Sequence, residues 1–220
     1  MRVTTKVLSG VTALGLAATL TACSGDNKDK KPVGEFKTLT GNATTVVLDP
    51  GFVSALTSLK LTPGTFGTAK IEQQGSNTDA VFPITGGNAK IYKKGDVTPY
   101  VQGQVEHDGS GLTLAAGGTT VTLKNFVVHP GNNSNLTGEV DVATGGKTTV
   151  AAKSMKLFDL DGTTLKTPTI SKAGVATLEG TTIYLSAEAA KALNGVFKTD
   201  ALAGGQKVKI GTAIIRATGS

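Results

Sequence analysis

The chain contains few side chains of the types that support catalysis, since it has only two histidines and one cysteine. A serine hydrolase needs a histidine within hydrogen-bond reach of an exposed serine. Ser110 follows His107 by three residues and lies between two glycines, but no G-x-S-x-G nucleophile elbow surrounds it. We therefore interpret Ser110 as a turn residue, predict no catalytic residue and expect the protein not to be an enzyme.

Metal-binding patterns are equally sparse. The stretch D-L-D-G that ends at Gly162 opens like a calcium-binding loop, but the later ligands, including a glutamate at the end of the loop, are missing. The sequence also lacks the C-x-x-C and H-x-x-x-H spacings that are typical of zinc sites. We predict a β-turn at Asp161 and no dedicated metal site.

His107 is the main candidate for a binding residue. Residues 98–107 alternate between apolar and polar, so Val101 and His107 share one face of a predicted strand. The imidazole should point inward, where Tyr100 at the start of the same strand and Tyr92 at the end of the preceding one are in reach. These three side chains would line a ligand pocket. The alternative is a hydrogen-bonded core histidine at a strand end, which binds nothing.

Two strand–cap–helix units position the rest of the chain, one at residues 44–60 and the other at residues 181–198. In each unit an apolar run leads to a capping residue and then to a short helix. Asp49 and Ser186 are the predicted N-caps, because their side-chain oxygens can accept from free N–H groups of the first turn. Gly195 is predicted to end the second helix in the left-handed conformation. The similarity of the units suggests an internal pseudo-repeat.

Most of the remaining sequence alternates between apolar and polar residues and is interrupted by glycine turns. About a dozen short segments fit antiparallel strands, with turn signals every 8–12 residues or so. Asn125 interrupts one of them and is predicted to mark a β-bulge. We predict a mainly β protein, a sandwich with two short helices, formed by a single domain over residues 38–220.

Residues 1–22 have the features of a lipoprotein signal peptide. Arg2 and Lys6 give a positive start, residues 7–19 are apolar, and L-T-A-C ends at Cys23. This order is that of a bacterial lipobox, in which the cysteine becomes the first residue and carries diacylglycerol and palmitate. An ordinary secretory signal and a transmembrane helix are the alternatives, although the apolar run is short for a membrane span.

The predicted mature chain starts at Cys23 and continues in a polar tether over residues 23–37. Since a diacyl anchor holds firmly to a bilayer, we expect the protein on the outer face of the bacterial cell membrane. Removing Arg2 and Lys6 lowers the formal net charge from +6 to about +4. This mild excess of positive charge favours an anionic membrane or wall polymer as a partner. Nucleic acid is not expected, because no basic cluster is interleaved with aromatic residues.

The sequence resembles a known family in two places. Residues 101–142 contain VQGQVEHDGSGLTL, VTLKNFVV and LTGEVDV, and a later stretch reads LSAEAAKALNGVF. These segments resemble the HtaA-type haem-binding domain of actinobacterial envelope proteins, which implies a β-sandwich with two short helices. The resemblance also implies a haem iron ligand, a tyrosine on the N-terminal helix, supported by a histidine that corresponds to His107. The predicted helix at residues 50–59 contains no tyrosine.

Two non-enzymatic functions are consistent with these observations, and an envelope hydrolase is a third and less supported alternative. The first is a lipid-anchored, non-enzymatic envelope protein that binds a hydrophobic ligand, haem, or a component of the envelope. The second is a structural or adhesive surface lipoprotein without a small ligand. A preformed cavity lined by His107 and tyrosines would distinguish the first from the second.

Overall fold

The computed structural model describes residues 30–205 and 207–220, and these contain thirteen β-strands and two α-helices. The strands are β1 (Gly34–Phe36), β2 (Leu39–Leu48), β3 (Thr62–Gly67), β4 (Lys70–Gln74), β5 (Asn77–Pro83), β6 (Gly86–Ile91), β7 (Val101–Ala116), β8 (Thr119–His129), β9 (Asn135–Thr144), β10 (Lys147–Asp161), β11 (Thr169–Ile170), β12 (Ala176–Leu185) and β13 (Lys209–Gly219). The helices are α1 (Pro50–Ser58) and α2 (Ala187–Phe197). The predicted mainly β class with two helices is confirmed.

All thirteen strands join one antiparallel sheet in the order β1-β6-β7-β8-β9-β10-β12-β13-β2-β5-β4, with β11 on β12 and β3 on β7. The sheet curls, so β2 and β5 lie opposite β7 and β8 across the interior. A hydrogen bond between Thr44 and His107 and an aromatic contact between Phe82 and Phe126 both cross this space. The layers expected of a sandwich are therefore parts of one continuous sheet.

The two predicted strand–cap–helix units form as expected. The Asp49 carboxylate accepts from the Gly51 N–H at 2.9 Å, and the Ser186 hydroxyl accepts from the Ala189 N–H at 3.0 Å. Their strands, β2 and β12, pair with opposite sides of β13. Because both strands run antiparallel to β13, the two units have the same direction in the sheet.

The predicted end of the second helix is wrong. Gly195 lies inside α2, and Lys198 takes the left-handed conformation instead, with a φ of 54°. The Asn194 side chain donates to the Leu202 carbonyl at 2.8 Å and accepts from the Leu202 N–H at 3.2 Å. These two bonds hold the following loop against the helix, and the Lys198 N–H closes the helix by donating to the Asn194 carbonyl.

The sheet also contains strands that alternation did not indicate. β1 pairs with β6 although it lies within the predicted tether, so the ordered sheet begins at Gly34. β3 contains a proline and two glycines, and every residue of β4 is exposed. Neither strand therefore shows a clear alternation of apolar and polar residues. The predicted signal peptide and the predicted lipid-attachment residue Cys23 lie outside the described residues. Within the described ranges, neither helix has the length and apolar character needed to cross a bilayer.

Candidate ligand-binding cavity

The concave side of the curled sheet encloses a cavity of about 630 Å³. This volume falls within the range of small-molecule binding sites, which are mostly apolar with a few placed polar groups. Side chains from eight strands form its apolar wall, among them Val46, Phe82, Phe126, Leu136, Phe158 and Ile215. This cavity is therefore lined as an apolar binding site.

The mouth of the cavity is formed by three connections at one end of the sheet. They follow β6, β8 and β10, and the antiparallel order of β7 to β10 places them on the same side. They contribute Lys94, Asn132 and Thr163, which are all exposed, to the lining. The wall is thus apolar inside and polar where it meets solvent.

His107 lies deep in this wall and is only 1% exposed. Its Nδ1 is 3.2 Å from the main-chain oxygen of Phe126, and its Nε2 is 2.8 Å from the Thr44 hydroxyl oxygen. A carbonyl oxygen can only accept, so we assign the proton to Nδ1. Nε2 then accepts from the Thr44 hydroxyl, and both ring nitrogens are occupied.

A β-bulge fixes this position of the histidine. The register of β7 with β8 shifts between His107 and Gly111, and Asn125 opposite has a φ of 53°. Gly109, with a φ of 71°, donates its N–H to the Asn125 side-chain oxygen at 2.9 Å. The predicted bulge at Asn125 is confirmed, and it ends regular pairing immediately after His107.

The imidazole is neutral at physiological pH. Burial lowers the pKa of His107 from 6.5 to about 4, against smaller opposing effects of its bond to Phe126 and the charge of Asp108. The ring also lies edge-on to Phe82, with centroids 6.5 Å apart. His107 therefore adds a hydrogen-bonded, uncharged surface to the cavity.

The two tyrosines predicted beside His107 occupy different places. Tyr100 lines the cavity, and among the described residues its buried hydroxyl has no hydrogen-bond partner. Burial raises the pKa of this phenol, so the hydroxyl keeps its proton. Tyr92 is not part of the lining, although its N–H donates to the Tyr100 carbonyl at 2.7 Å.

The residues of the possible catalytic and metal-binding motifs make ordinary structural contacts. Ser110 is fully buried and donates to the main-chain oxygen of His107 at 3.0 Å, so it does not meet the imidazole as a nucleophile would. Asp161 caps a short 3-10 helix (Gly162–Thr164) by accepting from the Thr163 N–H. Among residues 30–205 and 207–220, no three His, Cys, Asp or Glu side chains group as a metal site.

The curled antiparallel sheet and its apolar cavity define a mainly β domain of the HtaA-like fold. The C-terminal domain of HtaA from Corynebacterium glutamicum is similar, with a TM-score of 0.51 and 13% identity over 82% of this chain and 98% of that domain. A domain-swapped dimer of a histidine-to-alanine variant of that domain gives a TM-score of 0.46 and 12% identity over 77% and 91%. No family model and no curated protein matches the sequence.

Two residues of the site were not identified from the sequence. Thr44 is separated from its partner His107 by 63 positions, and no local pattern connects them. Lys94 lies in an irregular connection between strands, where periodicity gives no orientation. A polar residue at an inward position of β2 was the only available signal for Thr44.

Proposed function

We propose that this domain is a non-enzymatic binding protein of the cell envelope that holds an apolar small molecule in its cavity. The cavity of about 630 Å³ inside the curled sheet is the observation that carries this proposal. Moving apolar surface from water into such a site is favourable by roughly 25 cal/mol per Å². A ligand of drug size would therefore gain several kcal/mol from burial alone.

The polar groups of the interior favour an uncharged ligand portion. His107 is neutral and Thr44 is hydrogen-bonded to it, so neither offers a charge to a buried ion. Burying an unpaired charge is very costly in an apolar environment. The part of the ligand inside the cavity should therefore be hydrocarbon-like.

Haem is the specific ligand that the family resemblance implies, and the residues of this chain do not supply the ligand set of that family. Helix α1 has Phe52 and no tyrosine. The supporting histidine has both nitrogens engaged, by Thr44 and by the carbonyl of Phe126. Iron ligation at Nε2 would require the Thr44 hydroxyl to turn away. We therefore propose an apolar ligand that needs no iron coordination.

Binding can be tested on residues 30–220, called the isolated domain below, which include every strand and both helices. N-phenyl-1-naphthylamine, a neutral dye that fluoresces in apolar sites, should bind with a stoichiometry of one. Ala213 lines the cavity on β13, whereas Ala151 is exposed on β10. Ala213→Phe should weaken binding by roughly tenfold or more, and the control Ala151→Phe should not.

A cooperative urea melt of Ala213→Phe would show that the variant still folds. Loss of dye binding in a folded Ala213→Phe variant supports the cavity as the site. If the parent domain does not bind the dye, or if both variants bind it equally well, the binding proposal fails. A parent domain that binds nothing apolar would favour the structural or adhesive function.

The place of the protein in the cell is a further part of the proposal. The L-T-A-C sequence that ends at Cys23 supports anchoring through diacylglycerol to the outer face of the cell membrane. The mildly basic character of the chain supports contact with anionic lipid or wall polymer. Anchoring would keep the cavity close to the bilayer, where apolar molecules are concentrated.

A further inference from the structure

The mouth of the cavity contains an unused hydrogen-bond donor. The Tyr100 hydroxyl is buried and lacks a partner among the described residues. A buried polar group without a partner is unfavourable, because it has lost its hydrogen bonds to water. Native proteins rarely leave such groups unpaired. Tyr100 is part of the cavity lining, so a small rotation of its side chain would bring this hydroxyl to a bound molecule.

A cation accompanies the hydroxyl. Lys94 is also part of the lining, and its Nζ is 5.9 Å from the centroid of the Tyr100 ring. Within residues 30–205 and 207–220, Lys94 has no carboxylate within 4.0 Å. Asp161 supplies the one carboxylate of the lining, and its Oδ1 accepts from the Thr163 N–H at 2.9 Å and the Thr163 hydroxyl at 2.6 Å. The Asp161 carboxylate is thus already hydrogen-bonded within its own loop.

We propose that the cavity binds a single-chain amphiphile with a carboxylate head group, whose hydrocarbon tail occupies the interior and whose head group lies at the mouth between Tyr100 and Lys94. This proposal rests on the proposed function, because it assumes that the cavity binds an apolar molecule. It adds the chemical class of the ligand and its direction in the site. The tail points toward His107, where no charge is available to it.

The positive charge available at the mouth favours a carboxylate over a phosphate. A carboxylate has two oxygens, which the Tyr100 hydroxyl and the Lys94 ammonium can satisfy together. Phosphate sites more often combine several N–H donors, an arginine fork or a helix N-terminus. The described lining includes no arginine. Lys94 is the one cation of that lining, and a single positive charge matches a carboxylate better than a phosphate, which carries more negative charge.

The proposal can be tested by displacing N-phenyl-1-naphthylamine from the isolated domain with hexadecanoate, hexadecanol or hexadecyl phosphate. A charge-assisted hydrogen bond contributes about 1.5–3 kcal/mol, so hexadecanoate should bind roughly tenfold or more tightly than hexadecanol. Tyr100→Phe and Lys94→Met should each remove most of this preference, measured as the ratio of the hexadecanoate and hexadecanol affinities. Tyr92→Phe and Lys93→Met are matched controls, since neither side chain lines the cavity.

The outcomes separate the two proposals. If hexadecanol binds as tightly as hexadecanoate, or if the Tyr100 and Lys94 variants keep the full preference, the head-group site is refuted while the apolar cavity stands. If hexadecyl phosphate binds more tightly than hexadecanoate, the assignment to a carboxylate is refuted. If neither the dye nor any of the three amphiphiles binds, the proposed function is refuted, and the head-group site, which depends on it, is refuted as well.

Discussion

Acid should destabilise this domain through a single buried histidine. Burial lowers the pKa of His107 to about 4, whereas the unfolded chain has the ordinary value of 6.5. Below pH 6.5 the unfolded state therefore binds a proton that the folded state does not bind until about pH 4. Protonation favours the unfolded state, so the free energy of unfolding is highest above pH 6.5 and decreases as the pH falls toward 4.

The size of this effect follows from the gap between the two values. Subtracting a folded pKa of about 4 from 6.5 leaves about 2.5 pH units, and each unit corresponds to about 1.36 kcal/mol. The full loss is therefore about 3 kcal/mol, of which about 2 kcal/mol should develop between pH 7.5 and pH 5. Because His107 is only 1% exposed, solvent provides little screening that would reduce this figure.

Urea unfolding of the isolated domain at pH 7.5 and pH 5 measures this dependence. His107→Gln should lower the free energy of unfolding at pH 7.5 by roughly 1–3 kcal/mol, since it disturbs two buried hydrogen bonds. In the same variant, the difference in the free energy of unfolding between pH 7.5 and pH 5 should largely disappear. His129→Gln, which removes the other imidazole, is the control and should keep that difference.

The carboxylates with lowered pKa values contribute little to the difference in stability between pH 7.5 and pH 5. The pKa of Asp49 is lowered by its bonds to Lys209 and Gly51, against desolvation, and the pKa of Glu179 is lowered by Lys166. The stability from these carboxylates is lost as the pH falls below their ordinary values of 3.8 and 4.5, mostly outside the chosen window. A parent domain equally stable at pH 7.5 and 5, or a His107→Gln variant with the parental pH dependence, would refute the reasoning.

Three further predictions concern the cap, the haem and the anchor. Ser186→Ala should lower the free energy of unfolding in a urea melt by roughly 2–3 kcal/mol, because the buried hydroxyl also donates to the Lys156 carbonyl at 2.6 Å. Asp49→Ala, at the more exposed cap, should lower it by roughly 1 kcal/mol. Equal losses would contradict this ranking. Spectral titration of the isolated domain should show at most weak haem binding, and tight stoichiometric binding abolished by His107→Ala with an unchanged melting curve would restore haem as the ligand. Cys23→Ser in the full chain should release the protein from the membrane fraction, and an absence of lipid label in the parent would end the anchor proposal.

The features that could be predicted from the sequence depend on neighbouring residues. Asp49 and Ser186 cap their helices through bonds to residues two and three positions later, which a short pattern can indicate. The inward orientation of His107 follows from the two-residue period of a strand and is likewise local. The bulge at Asn125 was indicated in the same way, by an interruption of one alternating run.

The features that escaped prediction depend on residues far apart in the chain. The cavity exists because the sheet curls until Thr44 meets His107, and alternation alone does not determine curvature. Gly195 has the residue type of a helix terminator, but the helix ends at Lys198, and the loop that follows is bonded through Leu202 back to Asn194. β4 was missed because an edge strand with every residue exposed shows no apolar period.

The place of β13 in the strand order has a consequence for folding. This strand, the last along the chain, lies between β12 and β2 and joins two groups of strands that otherwise share few neighbours. Pairing β2 with β13 brings together residues from opposite ends of the described chain, so much of the contact order is concentrated in this one step. Folding of such topologies is slow, and until β13 pairs, the edges of β2 and β12 are open to other chains. We therefore expect slow refolding that becomes prone to aggregation at high protein concentration.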